Sequence, residues 1–105
     1  MSEAKLRKQV MKYLQNLGYI VVFTANEYLR ERFKSQNFIP GLPDLIVFGQ
    51  NNMHFFIELK IGKNKLSKAQ QEIIEKLRIF GHKVFVVYSL EDLEEALKTL
   101  SDEKA

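Results

Sequence analysis

Hydrophobic positions along the chain change period several times, and the changes mark its elements. Leu6, Val10, Tyr13, Leu14 and Leu17 recur at helical spacing between Ser2, a good cap, and Gly18, a good stop. Tyr19-Ile20-Val21-Val22-Phe23-Thr24 then reads as a strand, apolar enough to lie inside a sheet. Ala25 to Pro40 is long for a plain loop, so a short amphipathic helix packing Leu29 and Phe33 on the sheet, or a ligand-binding excursion, is expected there. Two β-branched and aromatic runs follow, ending at Phe48 and beginning again at His54, with Gly49-Gln50-Asn51-Asn52-Met53 between them. That is the pattern of a β-hairpin.

The second half is plainer. Ser67-Lys68-Ala69-Gln70 is a capping box that opens a helix to about Phe80, with Ile73, Ile74, Leu77 and Phe80 as its apolar stripe and Gly81 as its end. Lys83-Val84-Phe85-Val86-Val87-Tyr88 predicts a fourth strand, reached by a crossover compatible with parallel pairing. Ser89 and Asp92 cap a last helix with Leu93, Ala96, Leu97 and Leu100 on its apolar face, and residues 101–105 should fray. The order is α-β-β-β-α-β-α, an α/β architecture with a mixed sheet and no domain boundary in residues 1–105.

Register carries the chemistry. Alternation along the second hairpin strand puts Glu58 and Lys60 on one face, and Ile57 and Leu59 on the other. With the hairpin centred on Asn51, Asp44 lies opposite Glu58; a two-residue turn would slip the register by one and send Asp44 to the far side. An odd-numbered loop, or a bulge, is therefore expected near Asn51. Two carboxylates about 4 Å apart repel by roughly 4 kcal/mol at an effective dielectric near 20. Lys60 supplies part of the compensating charge, and a divalent ion held by Asp44 and Glu58 would supply the rest. Mg²⁺ fits, because it takes one or two carboxylates and keeps positions for water and phosphate oxygens. Pro43 cannot donate to a ladder and belongs at the start of its strand, which places Asp44 near a sheet end. Gly41 permits a sharp turn or a close backbone approach.

Charge narrows the partners. The formal net charge is +3, yet the acids concentrate from Glu91 onward; residues 1–90 hold 14 Lys and Arg against 7 Asp and Glu, or +7. A basic body with an acidic end suits a polyanion. Arg30, Arg32 and Lys34 stand among aromatic residues, and Lys63, Lys65 and Lys68 cluster just past Lys60, all suited to phosphate contact. The lysine turn is not a phosphate-cradling Walker loop, since Asn64 stands where that motif needs Ser or Thr. Cysteine is absent, which excludes disulfides and thiolate metal sites. His54 and His82 fall in no metal-ligand spacing and read as structural. No apolar run reaches membrane-spanning length and no signal peptide is evident, so an intracellular, cytoplasmic protein of viral or prokaryotic type is expected.

Pro43-Asp44 followed by Glu58-Leu59-Lys60 resembles the Pro-Asp...(Asp/Glu)-x-Lys pattern of the restriction-endonuclease-like nucleases. With Gly41-Leu42, Phe56-Ile57, Leu66-Ser67, Gln70 and Gly81, the run from about Glu3 to Tyr88 resembles the virus-type replication-repair nuclease (VRR-NUC) family. The resemblance implies an αβββαβ core with a mixed sheet flanked by helices, here followed by a C-terminal helix. It implies an endonuclease dependent on Mg²⁺ or Mn²⁺, the ion being held by Asp44, Glu58 and the Leu59 carbonyl. Glu3 joins directly or through water, Lys60 orients the attacking water, and Gln70 lies near the site. The resemblance also implies 5′-phosphate and 3′-hydroxyl products and, by similarity to archaeal-type Holliday-junction resolvases, a homodimer acting on branched DNA. The rival readings are a non-catalytic nucleic-acid-binding module and a protein-interaction subunit; the intact Asp44, Glu58 and Lys60 set argues against both.

Overall fold

In the computed structural model, which describes residues 1–33 and 39–104, eight elements follow one another: α1 Glu3–Asn16, β1 Ile20–Phe23, α2 Asn26–Arg32, β2 Leu45–Phe48, β3 His54–Leu59, α3 Lys68–Ile79, β4 Val84–Val87 and α4 Leu90–Lys104. The sheet order is β1-β2-β3-β4, with the first two pairings antiparallel and β3–β4 parallel. The mixed sheet is therefore as expected, and the short helix between β1 and β2 is α2; it does not pack Phe33 on the sheet, because Phe33 is its C-cap and is exposed.

Local chemistry explains the boundaries. Ser2 Oγ accepts the Lys5 amide at 3.1 Å to cap α1, and Gly18 leaves that helix at φ +96°. Ser67 and Gln70 make the full reciprocal capping box of α3. Asp92 donates its amide to Ser89 Oγ at 3.2 Å, while its carboxylate accepts the Tyr88 amide at 2.8 Å, so two end groups of α4 are satisfied. The hairpin loop has five residues, closed by the Gly49 amide on the Met53 carbonyl at 2.9 Å. Asn51 and Asn52 sit at φ +59° and +64°, a region that asparagine tolerates better than most residues. The odd-numbered loop sets Leu45 against Ile57 and Phe48 against His54, the register that the centring on Asn51 requires.

The two faces of the sheet differ. Helices α1 and α4 pack on one face, where Leu6, Val10, Leu14, Leu93 and Leu100 meet Leu45, Val47, Phe55, Ile57, Leu59 and Val87 in a single core. Helix α3 lies against β4 on the opposite face, with Ile74 and Val84 both buried. Among the described residues, no helix covers the half of that face formed by β1 and β2.

Four expectations are corrected here. Strand β1 lies at an edge, and Ile20 is 67% exposed, because no helix among the described residues covers its outer side. Phe80 is 65% exposed, since it is the C-cap of α3 and lies past the last turn that packs on the sheet. Leu17, at the α1 C-cap, is exposed for the same reason. The C-terminus does not fray at Ser101: α4 runs to Lys104, pinned by Glu103 on Lys83 Nζ at 2.9 Å. Among the described residues no helix is long and apolar enough to cross a membrane.

Candidate active site

The hairpin register, continued by one residue from Leu45 and Ile57, brings Asp44 opposite Glu58 at the end of the sheet. The segment before β2 is held from three directions. The Thr24 amide donates to the Asp44 carbonyl at 2.9 Å, and Thr24 Oγ1 donates to the Pro43 carbonyl at 3.0 Å. Asn26, buried at the start of α2, donates Nδ2 to the Ile39 carbonyl at 2.6 Å. Gly41 adopts φ +83° and its backbone lies so close to α3 that an added Cβ would sit 2.4 Å from the Ala69 carbonyl oxygen. Both uses foreseen for Gly41 are thus realised. Gly41→Ala is expected to cost about 2–4 kcal/mol, combining left-handed strain with backbone overlap, and urea unfolding measures it.

Asp44 and Glu58 are anchored differently. Asp44 Oδ2 accepts the Leu59 amide at 2.8 Å, which fixes the carboxylate to the neighbouring strand. Glu58 is only 2% exposed; its Oε2 accepts from Gln70 Nε2 at 3.3 Å, whereas Oε1 is buried with no hydrogen-bond partner. Burial pushes the Glu58 carboxyl up to about 9, aided by the neighbouring Asp44 carboxylate, opposed by Lys60 and reinforced by Glu3. A buried acid raised in this way, next to a second acid and a lysine, marks a candidate functional site.

Gln70 has two duties that its spacing alone separates poorly. Its Oε1 accepts the Ser67 amide at 2.9 Å within the capping box, while its Nε2 reaches Glu58. The helix start and the buried acid are therefore braced by one side chain. Lys60 is half-buried, and its backbone amide donates to the Val87 carbonyl at 3.0 Å, which fixes the strand end beside Glu58. Glu3, in the first turn of α1, is close enough for its charge to act on Glu58. Among the described residues no group of three or more His, Cys, Asp or Glu side chains gathers. Leu59 turns its side chain into the core on the other face.

The basic residues are less centralised. Lys63 and Lys65 are exposed in the turn after β3, and Lys68 is exposed in the first turn of α3. Arg32 is exposed at the end of α2, 5.9 Å from the Phe33 ring centre. Lys34, Phe38 and the side chain of Arg30 lie outside the described residues. His54 and His82 pack against Phe56 and each other, with Nε2 and Nδ1 3.2 Å apart. Thr24 and Asn26 were not foreseen as site supports; a polar pair ending an apolar strand was the only signal.

The donor set suits a hard divalent cation: two converging carboxylates, one with a buried oxygen that has no partner. This fold, a mixed four-stranded sheet with helices on both faces and a C-terminal helix, is restriction-endonuclease-like. The family model for the VRR-NUC domain matches residues 3–91, and the chain belongs to the VRR-NUC family, whose domains have a nuclease-type fold. A solved chain described as a VRR-NUC domain superposes with a TM-score of 0.73 at 24% identity, covering 91% of this chain and 94% of that one. No curated protein matches in sequence.

Proposed function

We propose that the protein is a divalent-metal-dependent endodeoxyribonuclease that acts as a homodimer on branched DNA, four-way junctions included. The observation that carries the reading is Glu58: a fully buried carboxyl with one oxygen unpartnered, set against Asp44 and on the same strand face as Lys60. Asp44, Glu58 and the Leu59 carbonyl would hold Mg²⁺ or Mn²⁺, with Glu3 reaching it through water. When bound, the ion supplies Lewis-acid stabilisation of charge on the phosphate and the leaving oxygen.

The chain's own groups do the rest. The Leu59 amide fixes Asp44 by one oxygen and leaves the other to face the site. Gln70 orients Glu58. The Lys60 ammonium donates a hydrogen bond to the attacking water and aligns it with the phosphorus. Lys63, Lys65 and Lys68, with Arg30, Arg32 and Lys34, take the DNA backbone, and the products carry 5′-phosphate and 3′-hydroxyl ends. A two-fold axis relating two such sites suits paired incisions across a junction.

The test uses a labelled four-way junction and a linear duplex of the same arm sequence. In Mg²⁺, the junction is expected to be cut faster by on the order of ten-fold or more, a preference of about 1.4 kcal/mol in the barrier. Equal cutting of both would overturn branch selectivity. Binding of both with no cutting in Mg²⁺ or Mn²⁺ would favour a non-catalytic nucleic-acid module.

A further inference from the structure

The half of the sheet that no helix among the described residues covers is a feature that the catalytic reading leaves unused. On the face that carries Glu58, alternation and register align Ile20 and Val22 of β1 with Phe48 and Ile46 of β2, and these with His54 and Phe56 of β3. Ile20 is 67% exposed, Val22 41% and Phe48 43%. Between Ile20 and Phe56 these strand positions include no Asp, Glu, Lys or Arg. Helix α3 walls the face on one side. Arg78, on one flank of α3, donates to the Val84 carbonyl on β4 at 2.7 Å. The opposite flank, where Ile73 and Phe80 fall at helical spacing, therefore overlooks the open strands. Phe80 extends the apolar surface and is 65% exposed.

The geometry points to this face, centred on Phe48 and bordered by Phe80, as the surface through which two copies of the chain associate. The assignment rests on the two-copy reading above and gives it a location. At about 150–250 Å² per large side chain, an upper figure for Ile20 and Val22, the exposed fractions of Ile20, Val22, Phe48 and Phe80 amount to roughly 300–500 Å². A standard interface buries about 800 Å² per partner, roughly 57–65% of it apolar, so the face supplies most of the apolar area that one side of a stable dimer needs. A second copy meets it with the same uncharged strand positions, as a two-fold contact demands, while Lys76, 5.9 Å from the Phe80 ring centre, lies at the rim. A nucleic-acid backbone finds no cation on these strand positions to neutralise it. Edge strand β1 adds unpaired backbone groups at the border, and it carries neither charge nor proline to blunt pairing. Because Glu58 follows Phe56 by two residues on the same face, pairing here sets each metal site at the border of the joint surface.

The test exploits the absence of cysteine. Sedimentation velocity at tens of micromolar should give a dimer for the wild type. Phe48→Lys and Phe80→Lys should weaken it by about 100-fold or more, in line with burying an unpaired charge at an interface core. Ile79→Lys, on the outward side of α3 and 74% exposed, should leave it intact. Far-UV circular dichroism establishes that each variant is folded. Independently, Val22→Cys with a short bismaleimide should yield covalent dimers, whereas Ile79→Cys should not. A monomeric wild type would overturn the two-copy reading itself. A wild-type dimer that survives both Phe48→Lys and Phe80→Lys, or cross-links through Ile79→Cys and not Val22→Cys, would overturn the surface alone.

Discussion

Asp44→Asn is expected to abolish Mg²⁺-dependent strand cleavage, by on the order of 10³-fold or more, while leaving the chain folded and able to bind DNA. Asparagine keeps a carbonyl oxygen for the Leu59 amide, the 2.8 Å bond that Asp44 makes in the fold. Alanine at this position would instead leave that amide without a partner, at a cost of about 1–3 kcal/mol, and so blur chemistry with stability. The side-chain amide introduced by Asp44→Asn also offers Glu58 a donor, relieving the repulsion between the two acids. Single-turnover cleavage of a labelled junction, alongside binding in Ca²⁺, separates the effects. Lys60→Ala should lose on the order of 10²–10³-fold of the rate, and Gln70→Ala about 10–100-fold, because Gln70 acts through the placement of Glu58. Cleavage untouched by all three substitutions would place the chemistry elsewhere or in a contaminant.

Glu58→Gln is expected to trade activity for stability, and the trade should depend on pH. In the metal-free protein the Glu58 carboxyl is raised from 4.5 to about 9, first by burial and then by Asp44. The folded state therefore holds a proton that the unfolded chain has lost over that window. The contribution to stability is fully present below about 4.5 and is lost as pH rises toward about 9, with a slope of up to about 1.4 kcal/mol per pH unit. Metal-free wild type should accordingly melt at a lower temperature at pH 8.5 than at pH 6. Glu58→Gln, which needs no ionisation and keeps a donor and an acceptor, should flatten that dependence and exceed wild type at the higher pH. The same substitution removes one carboxylate from the proposed ion site and should silence cleavage. Comparing the two proteins at each pH isolates Glu58 from other titrating groups. Identical pH profiles would show that its environment is not what burial and Asp44 dictate.

The sequence disclosed the fold and the pairing of the two acids to different depths. Hairpin register was readable because one loop length satisfies both the apolar alternation and the Asp44–Glu58 pairing, and Asn51 and Asn52 are residues that accept the backbone the loop needs. Caps at Ser2, Ser67 and Ser89 were readable because their hydrogen bonds are local. Exposure was not. Strand β1 has the letters of a buried strand, but burial depends on what lies across the sheet, and no helix among the described residues covers its outer side. Phe80 misled in the same way. Both errors fall on the one face proposed to pair with a second copy, where apolar letters have a use that a single chain does not show. Thr24 and Asn26 escaped notice because their hydrogen bonds to Pro43, Asp44 and Ile39 span long sequence separations. Gln70 was visible as a capping residue, while its reach to Glu58 depended on how α3 lies over the sheet.

Everything chemical depends on Asp44 and Glu58 meeting one cation. A crystal soaked in Mn²⁺ and measured at the manganese absorption edge tests this most directly. A single dominant anomalous peak is expected within about 2.0–2.3 Å of an oxygen from each carboxylate, with the Glu58 Oε1 that has no hydrogen-bond partner as one ligand. A peak is expected neither at that position in Asp44→Asn nor elsewhere on the wild-type chain. Manganese bound only away from these two acids, in crystals where both carboxylates are ordered, would contradict it.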